Sequence, residues 1–435
     1  MKIRNRIAEF FEFNRHGTNF KTEILAGLST FLALSYIFVV NPSILAEAGM
    51  NKSMVLFATI IASFLATFFM GVWAKKPFVL APGMEMNAYV AFFVVIGLGF
   101  SWQEALGAVF WSGILFMILT FSGIRKKIIE AIPDKMKSGL ALSVGIFLML
   151  IALKLAGVLV YEGVILKGIG ILLSPIAYVL YFGLLVVLLL RKFNIRGSVL
   201  ISIIVASILA HFLGVSESGG AIEISKEMFS GILAFDLSVI LNPKILSVIL
   251  VLFIIDFYGS VAKFIGLTRN TTIIREDGTL PKMKQTLSVD GIGTIVGAGL
   301  GTTSITTYVE SGVGIAEGGR TGFTAVVCSL LMLSFILLTP LVNLVPLIAT
   351  TGALFWVGIY LFPTKKEIKE YRIVDIISVV GMIVATVWTF SIDKALFVGF
   401  AVFIIGQLLS GKTKEINLYM MLSTLLLATG IFFSF

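Results

Sequence analysis

The chain is predicted to be an all-α polytopic membrane protein with fourteen transmembrane segments in two inverted halves of seven. Three observations carry that reading: an excess of apolar residues, an alternation of Lys and Arg between successive loops, and helix interruptions at matching places in the two halves. Of 435 residues, 58% are hydrophobic and 13% charged, against roughly 45–50% and about 25% in soluble domains. The excess comes as runs and not as scattered core positions, so lipid is the solvent. Residues 1–435 count as a single membrane domain.

A helix needs about 20 apolar residues to cross the hydrocarbon core. Candidates lie near 22–46, 52–73, 105–124, 139–160, 173–190, 197–215, 245–267, 321–346, 347–362, 373–390 and 393–410. Residues 78–99 open with Pro82 and Gly83 before continuing apolar, and read as one interrupted span. Residues 286–318 are rich in glycine, carry two polar clusters and read as two spans, which brings the total to fourteen. Residues 416–435 hold one further candidate.

Cytoplasmic loops are enriched in Lys and Arg, which supplies an independent test. Clusters occur at Lys2 to Lys21, Lys75/Lys76, Arg125 to Lys137, Arg191 to Arg196, Arg269 to Lys284, Lys365 to Arg372 and Lys412/Lys414, while 212–244 and 340–344 are poor in them. That alternation places the N-terminus in the cytoplasm, and it accounts for the net charge of +9 without nucleic acid. Seven spans precede the polar loop near 216–243 and seven follow it. Because seven is odd, halves at 22–215 and 245–410 run in opposite senses, the arrangement in which substrate sites form near the midplane at discontinuous helices.

The first 21 residues lack an apolar core followed by a cleavage site, so no signal peptide is expected. Ile3, Ile7, Phe10 and Phe11 suit a short interfacial helix, with a solvated tail as the alternative. Cys328 alone makes no disulfide, and His16 and His211 cannot complete a metal cluster with it, so neither metal nor cofactor is expected.

The interrupted stretches are APGMEMNAYVAFF from Ala81 and GTTSITTYVESGVGI from Gly301. Broken helices persist in lipid only where protein or a cavity supplies partners for the freed backbone groups. After each break the helix restarts with its amides and positive dipole end toward the gap. Two facing breaks therefore predict a binding site between Asn87 and Glu310.

Ionisable groups inside a bilayer cost about 2.5–3.5 kcal/mol each on insertion scales. Here they are Glu85, Asp256, Lys263, Asp290 and Glu310. Glu310 follows a break and Asp256 is mid-span, so these two carry the functional expectation. Lys263 is two helical turns after Asp256 and is expected to neutralise a carboxylate; Asp290 suits structural anchoring and function equally. Gly293, Gly297 and Gly301 at four-residue spacing read as close helix packing. No nucleotide-binding fingerprint is present, and no nucleophile has a base beside it, so the chain is not expected to be an enzyme.

TEILAGLSTFLALSYIFVVNPSILAEAGM from Thr22, APGMEMNA from Ala81 and GTIVGAGLGTTSITTYVESGVGIAEGGRTGFTA from Gly293 resemble the nucleobase–cation symporters, specifically the azaguanine-type branch of adenine, guanine and hypoxanthine permeases. NIRGSVLI from Asn194 and ATTGALFWVG from Ala349 fit the same pattern. The resemblance implies the uracil-permease fold, with core and gate domains and short strands at the breaks in segments three and ten. It also implies proton-driven purine uptake across the inner or plasma membrane, with sodium as the alternative coupling ion, and it allows a homodimer.

By position, the resemblance assigns Asn87, Asp256 and Glu310 to the base, and Asp256 and Glu310 are the proton-coupling candidates. A purine offers N–H donors that a carboxylate accepts, while an asparagine amide both donates and accepts. Tyr89 and Tyr308 are candidates for stacking on the ring, and Thr307 joins the binding set.

The chain departs from the branch at three places. Glu85 stands where glycine is usual, Gly259 where a second acid of segment eight is usual, and Lys263 where threonine is usual. These changes suggest that Glu85 replaces the lost acid across the cavity and Lys263 balances it. They leave another planar base, such as xanthine or uracil, as an alternative substrate. An anion carrier of the same fold is the other rival, and Glu85, Asp256 and Glu310 oppose it by charge.

Overall fold

The computed structural model describes residues 2–122, 134–162, 165–193, 195, 198–216, 226–268, 271–273, 280–338, 344–363, 368–412 and 416–433. Parts of the expected basic clusters at 125–137, 191–196, 269–284, 365–372 and 412–414 lie outside these residues. So do parts of the polar loop at 216–243, of the 340–344 loop and of the NIRGSVLI stretch.

Helix starts follow local chemistry. Asn19 accepts from the amide of Thr22 at 3.0 Å ahead of Phe20–Leu34, and Asn51 accepts from Ser53 and Met54 ahead of Lys52–Phe69. Ser101 and Glu104 form a capping box at the start of Trp102–Phe121. Ser174 caps Pro175–Lys192, whose proline occupies the first turn, where its missing N–H is harmless.

Among the described residues, five helices are long and apolar enough to cross a membrane: Phe20–Ala46, Lys52–Ala74, Trp102–Phe121, Ser138–Leu155 and Pro175–Lys192. Shorter apolar helices include Ser198–Phe212, Gly322–Ile336, Ile373–Thr389 and Lys394–Leu409. Leu418–Phe433 is helical, within the extra candidate region.

The helices pack in two sets. One comprises Phe20–Ala46, Lys52–Phe69, Trp102–Phe121, Pro243–Thr268, Met283–Leu300, Ser311–Ala316 and Gly322–Met332. The other comprises Asp134–Leu155, Pro175–Lys192, Ser198–Phe212, Thr351–Tyr360, Ile373–Thr389 and Ile392–Leu409. Leu418–Phe433 touches Pro243–Thr268 and Ile392–Leu409, and so bridges the sets.

Strands occupy both breaks. β1 is Leu80–Pro82; β2, Leu159–Glu162, and β3, Ile165–Ile169, form a hairpin; β4 is Ile305–Thr307 and pairs antiparallel with β1. The hairpin was not anticipated by the helical reading of 139–160. Gly157, at φ 67, ends the preceding helix in the left-handed conformation that favours glycine, and the β-branched and aromatic run that follows pairs as strands.

The N-terminal segment is docked. Lys2–Phe10 is helical, Phe11 and Phe13 are buried, and their rings lie 5.4 and 5.7 Å from that of Phe323. A solvated tail is excluded for these residues, because the aromatic cluster gives them a packed partner.

A single buried carboxylate fastens the first membrane helix to the later half. Glu23 accepts from the Arg320 amide at 3.0 Å, the Thr324 amide at 3.2 Å, and the hydroxyls of Thr321 and Thr324 at 2.8 and 2.6 Å. It thereby caps Gly322–Met332 from another helix, where a negative charge meets the helix dipole favourably. The neighbouring backbones touch. A Cβ on Gly322 would lie 2.0 Å from the Gly71 carbonyl oxygen, so no larger residue fits there without displacement.

Replacing Glu23 with Ala strands several buried donors, and a loss of about 3 kcal/mol is expected. Thermal unfolding of the detergent-purified protein should show a clear fall in midpoint, with Glu23→Gln intermediate. An unchanged midpoint for Glu23→Ala would refute the anchoring role.

Candidate substrate site

The site is built from the two breaks. Leu80, Ala81 and Pro82 stand opposite Thr307, Thr306 and Ile305, so each interruption supplies hydrogen-bond partners to the other. The Gly83 amide donates to the Ser304 carbonyl at 2.9 Å, and the Tyr308 amide donates to the Val79 carbonyl at 2.9 Å. Side chains satisfy further backbone groups. Val79 donates to the Ser311 hydroxyl at 3.0 Å, Leu80 donates to Thr67 Oγ1 at 2.9 Å, and Thr67 Oγ1 returns a bond to the Leu80 carbonyl at 3.0 Å. Gly297 lets Met283–Leu300 lie against this pair, since a Cβ there would come within 2.4 Å of the Thr303 carbonyl oxygen.

A cavity of about 520 Å³ opens beside the strands. Tyr36, Met84, Glu85, Lys263, Tyr308 and Glu310 line it from the elements around the breaks, and Arg191, Ser198, Val199 and Trp356 line it from the other set of helices. Glu310 is 6% exposed; its Oε1 accepts from the Tyr36 hydroxyl at 3.1 Å, and its Oε2 has no hydrogen-bond partner among the described residues. Lys263 Nζ stands 3.6 Å from Glu85 Oε1. The Tyr308 hydroxyl donates to the Pro82 carbonyl, which fixes the ring at the cavity edge.

Other predicted residues are buried and absent from the cavity lining. Asn87 is fully buried; its Oδ1 accepts from the Thr303 hydroxyl, and its Nδ2 has no hydrogen-bond partner among the described residues. Asp256 accepts from Thr294 Oγ1 at 2.7 Å. Thr307 donates to Asp290 Oδ1 at 3.1 Å, and Ser260 and Thr306 share a 2.9 Å hydrogen bond. Asp256 Oδ1 and Asp290 Oδ2 are buried without hydrogen-bond partners among the described residues.

Glu85, Lys263, Tyr308 and Glu310 meet at the cavity, whereas Asn87, Asp256 and Thr307 are buried in hydrogen-bonded positions that do not line it. Tyr89 is stacked on Phe93, with ring centroids 5.1 Å apart, and does not line the cavity. The expected cation, Lys263, meets Glu85 and makes no ion pair within 4 Å with Asp256 among the described residues.

Sequence reasoning missed Tyr36, Arg191, Trp356 and Thr294. A phenol within the first span was the only signal for Tyr36. Arg191 was masked by its place in a basic loop cluster.

Removing Lys263 leaves Glu85 largely buried without its cation, and such uncompensated charges cost about 3 kcal/mol or more. The Lys263→Met variant is expected to melt well below wild type, and the Glu85→Gln, Lys263→Met double variant to recover most of the difference. Equal melting of the single and double variants would refute the pairing.

Three comparisons bear on the site. A model of the permease family matches residues 21–362. A putative permease of Methanocaldococcus jannaschii is 38% identical over 94% of both chains. The adenine permease AdeP of Escherichia coli is 34% identical over 97% of this chain and 95% of its own, and the guanine/hypoxanthine permease PbuO of Bacillus subtilis is 32% identical over 94% and 96%. Among solved structures, the transmembrane domain of the cyanobacterial bicarbonate transporter BicA superposes with TM-score 0.63 at 15% identity, covering 94% of this chain and 97% of that one. The murine Slc26a9 anion transporter gives 0.68 at 14%, covering 90% and 69%. These structural likenesses are of fold: a helical, polytopic membrane architecture with small strands.

Proposed function

The chain belongs to the permease family, and from that premise we propose that it is a secondary transporter of purine nucleobases, coupled to protons. The observation that carries this reading is the Glu310 carboxylate, with one oxygen tied to Tyr36 and the other unengaged at the wall of a cavity beside two broken helices. A carboxylate only accepts hydrogen bonds, and a purine presents ring and exocyclic N–H groups to it. The volume of about 520 Å³ falls in the range of small-molecule pockets. Tyr308 at the edge offers a ring face to a planar ligand.

The fold is read as fourteen segments in two inverted halves, with the two helix sets acting as core and gate domains. Arg191, Leu267 and Leu361, which line the cavity, lie at the ends of helices next to Lys- and Arg-rich stretches. On the orientation expected from those stretches, with the N-terminus cytoplasmic, the cavity opens inward. Asp256 and Glu310 are the proposed proton carriers, Glu310 at the cavity and Asp256 outside its lining.

The structural neighbours include a bicarbonate transporter and an anion transporter, which makes anion transport the second reading. Glu85 and Glu310 on the cavity wall, with the buried Asp256 outside its lining, disfavour it. A thermal-shift panel of hypoxanthine, guanine, adenine, xanthine, uracil, sulfate and bicarbonate on the purified protein separates the two. A base at a hundredfold excess over its Kd should stabilise the fold by about 2.7 kcal/mol. Uptake of the same labelled base into proteoliposomes should rise with an imposed proton gradient, and Glu310→Gln should weaken binding at least about tenfold. Stabilisation by sulfate or bicarbonate, and by no base, would overturn the proposal.

A Cβ at Gly259 meets nothing within 4 Å among the described residues, so the position has room for a side chain to begin. If Glu85 stands in for that acid, the Glu85→Gly, Gly259→Asp double variant should bind bases with a shifted order of preference in the same panel. An unchanged order would sink the compensation idea.

A further inference from the structure

We propose that Arg191 is a substrate contact that selects 6-oxopurines, such as hypoxanthine and guanine, over adenine; this rests on the nucleobase reading given above. Arg191 occupies the last turn of Pro175–Lys192 and lines the cavity on the wall away from the strands. Its Nε is buried and has no hydrogen-bond partner among the described residues. Its guanidinium carbon lies 5.8 Å from the centroid of the Trp356 ring, within cation–π range. Trp356 thus supports the guanidinium while leaving donors for a ligand.

The cavity's other cation is committed. Lys263 faces Glu85 at 3.6 Å, and Glu310 Oε1 is committed to Tyr36. Among the described lining residues, the two with a buried, unpartnered polar atom are Arg191, which only donates, and Glu310, whose Oε2 only accepts while the carboxylate is ionised. A ligand that bridges them must present acceptors to one wall and N–H to the other.

A 6-oxopurine does both. Its O6 and N7 are adjacent acceptors that match the planar fork of a guanidinium, the pairing by which arginine reads guanine in DNA. Its remaining ring N–H groups can turn to the carboxylate. Adenine carries an amino donor beside N7, an edge that asparagine or glutamine amides match, and that amine would face a group with nothing to accept it. Relatives named for adenine and for guanine/hypoxanthine are of similar identity to this chain, so their names do not decide between the two bases, whereas the chemistry of this wall does.

The test is calorimetric titration of hypoxanthine, guanine and adenine into the purified full chain and its Arg191→Gln and Arg191→Lys variants. Wild type should bind the oxopurines at least about tenfold more tightly than adenine, in line with the discrimination of a bidentate contact. Arg191→Gln, whose amide suits the adenine edge, should lose about tenfold toward the oxopurines while adenine affinity is held or improved. Arg191→Lys keeps the charge without the fork and should lose most of the selectivity, which also covers the case in which the Gln variant fails to fold. Equal or tighter binding of adenine by wild type, or an equal loss for all bases in the variants, would overturn the inference while leaving nucleobase transport standing. Binding of no base by wild type would overturn both.

Discussion

The structure depends on the need to satisfy interrupted backbone within the apolar interior. In lipid a freed amide or carbonyl has no water to turn to, so a broken helix survives only with a partner inside the protein. Here each break is that partner. β1 and β4 come from segments more than 200 residues apart, and the Gly83–Ser304 and Tyr308–Val79 bonds close the gaps at both ends of their pairing. Thr67 and Ser311 complete the set from adjoining elements. Neither interruption is stable alone, and the site exists because the two are stable together.

The polar interior holds two groups of residues. Lining the cavity are Glu85 with Lys263, and Glu310 with Tyr36; buried and outside its lining are Asn87, Asp256 and Asp290, held by the hydroxyls of Thr303, Thr294 and Thr307. β4 has residues in both worlds. Thr307 bonds Asp290, and the next residue, Tyr308, borders the cavity. A ligand that draws on Tyr308 or Glu310 therefore pulls on the element that holds the buried acids. In the proposed proton-coupled reading, that would be a short mechanical route between substrate and proton, with no need for direct contact between them.

The sequence made the interruptions legible because Pro82, Gly83 and the polar run before Glu310 violate what a membrane helix requires. Glu310, Glu85, Lys263 and Tyr308 stand out for the same reason, since charges and breaks in apolar runs are conspicuous, and they lie around one cavity. Asp256 and Asn87 are equally conspicuous, yet whether they line that cavity depends on the β1–β4 pairing and on the hydroxyls around them, and neither has a local signature. Tyr36 and Trp356 look like ordinary residues of apolar helices, and Arg191 like a member of a basic loop. Their roles arise only when remote helices converge. The β2–β3 hairpin and the burial of Phe11 and Phe13 against Phe323 escaped for a related reason, since short apolar runs carry little information about what they will pack on.

The two walls of the cavity come from different helix sets, and this bears on how transport and selectivity are joined. Glu310 belongs to the set built on the breaks, Arg191 and Trp356 to the other. In the proposed transport cycle, a ligand that accepts from Arg191 and donates to Glu310 would bridge the two helix sets. Without it, each of these groups keeps a buried polar atom without a hydrogen-bond partner among the described residues, which is costly. With it, each would gain a direct hydrogen bond, so the approach of the walls would be favoured only when the ligand carries the right donors and acceptors. Recognition and closure then draw on the same interactions, and a mismatched base fails at both.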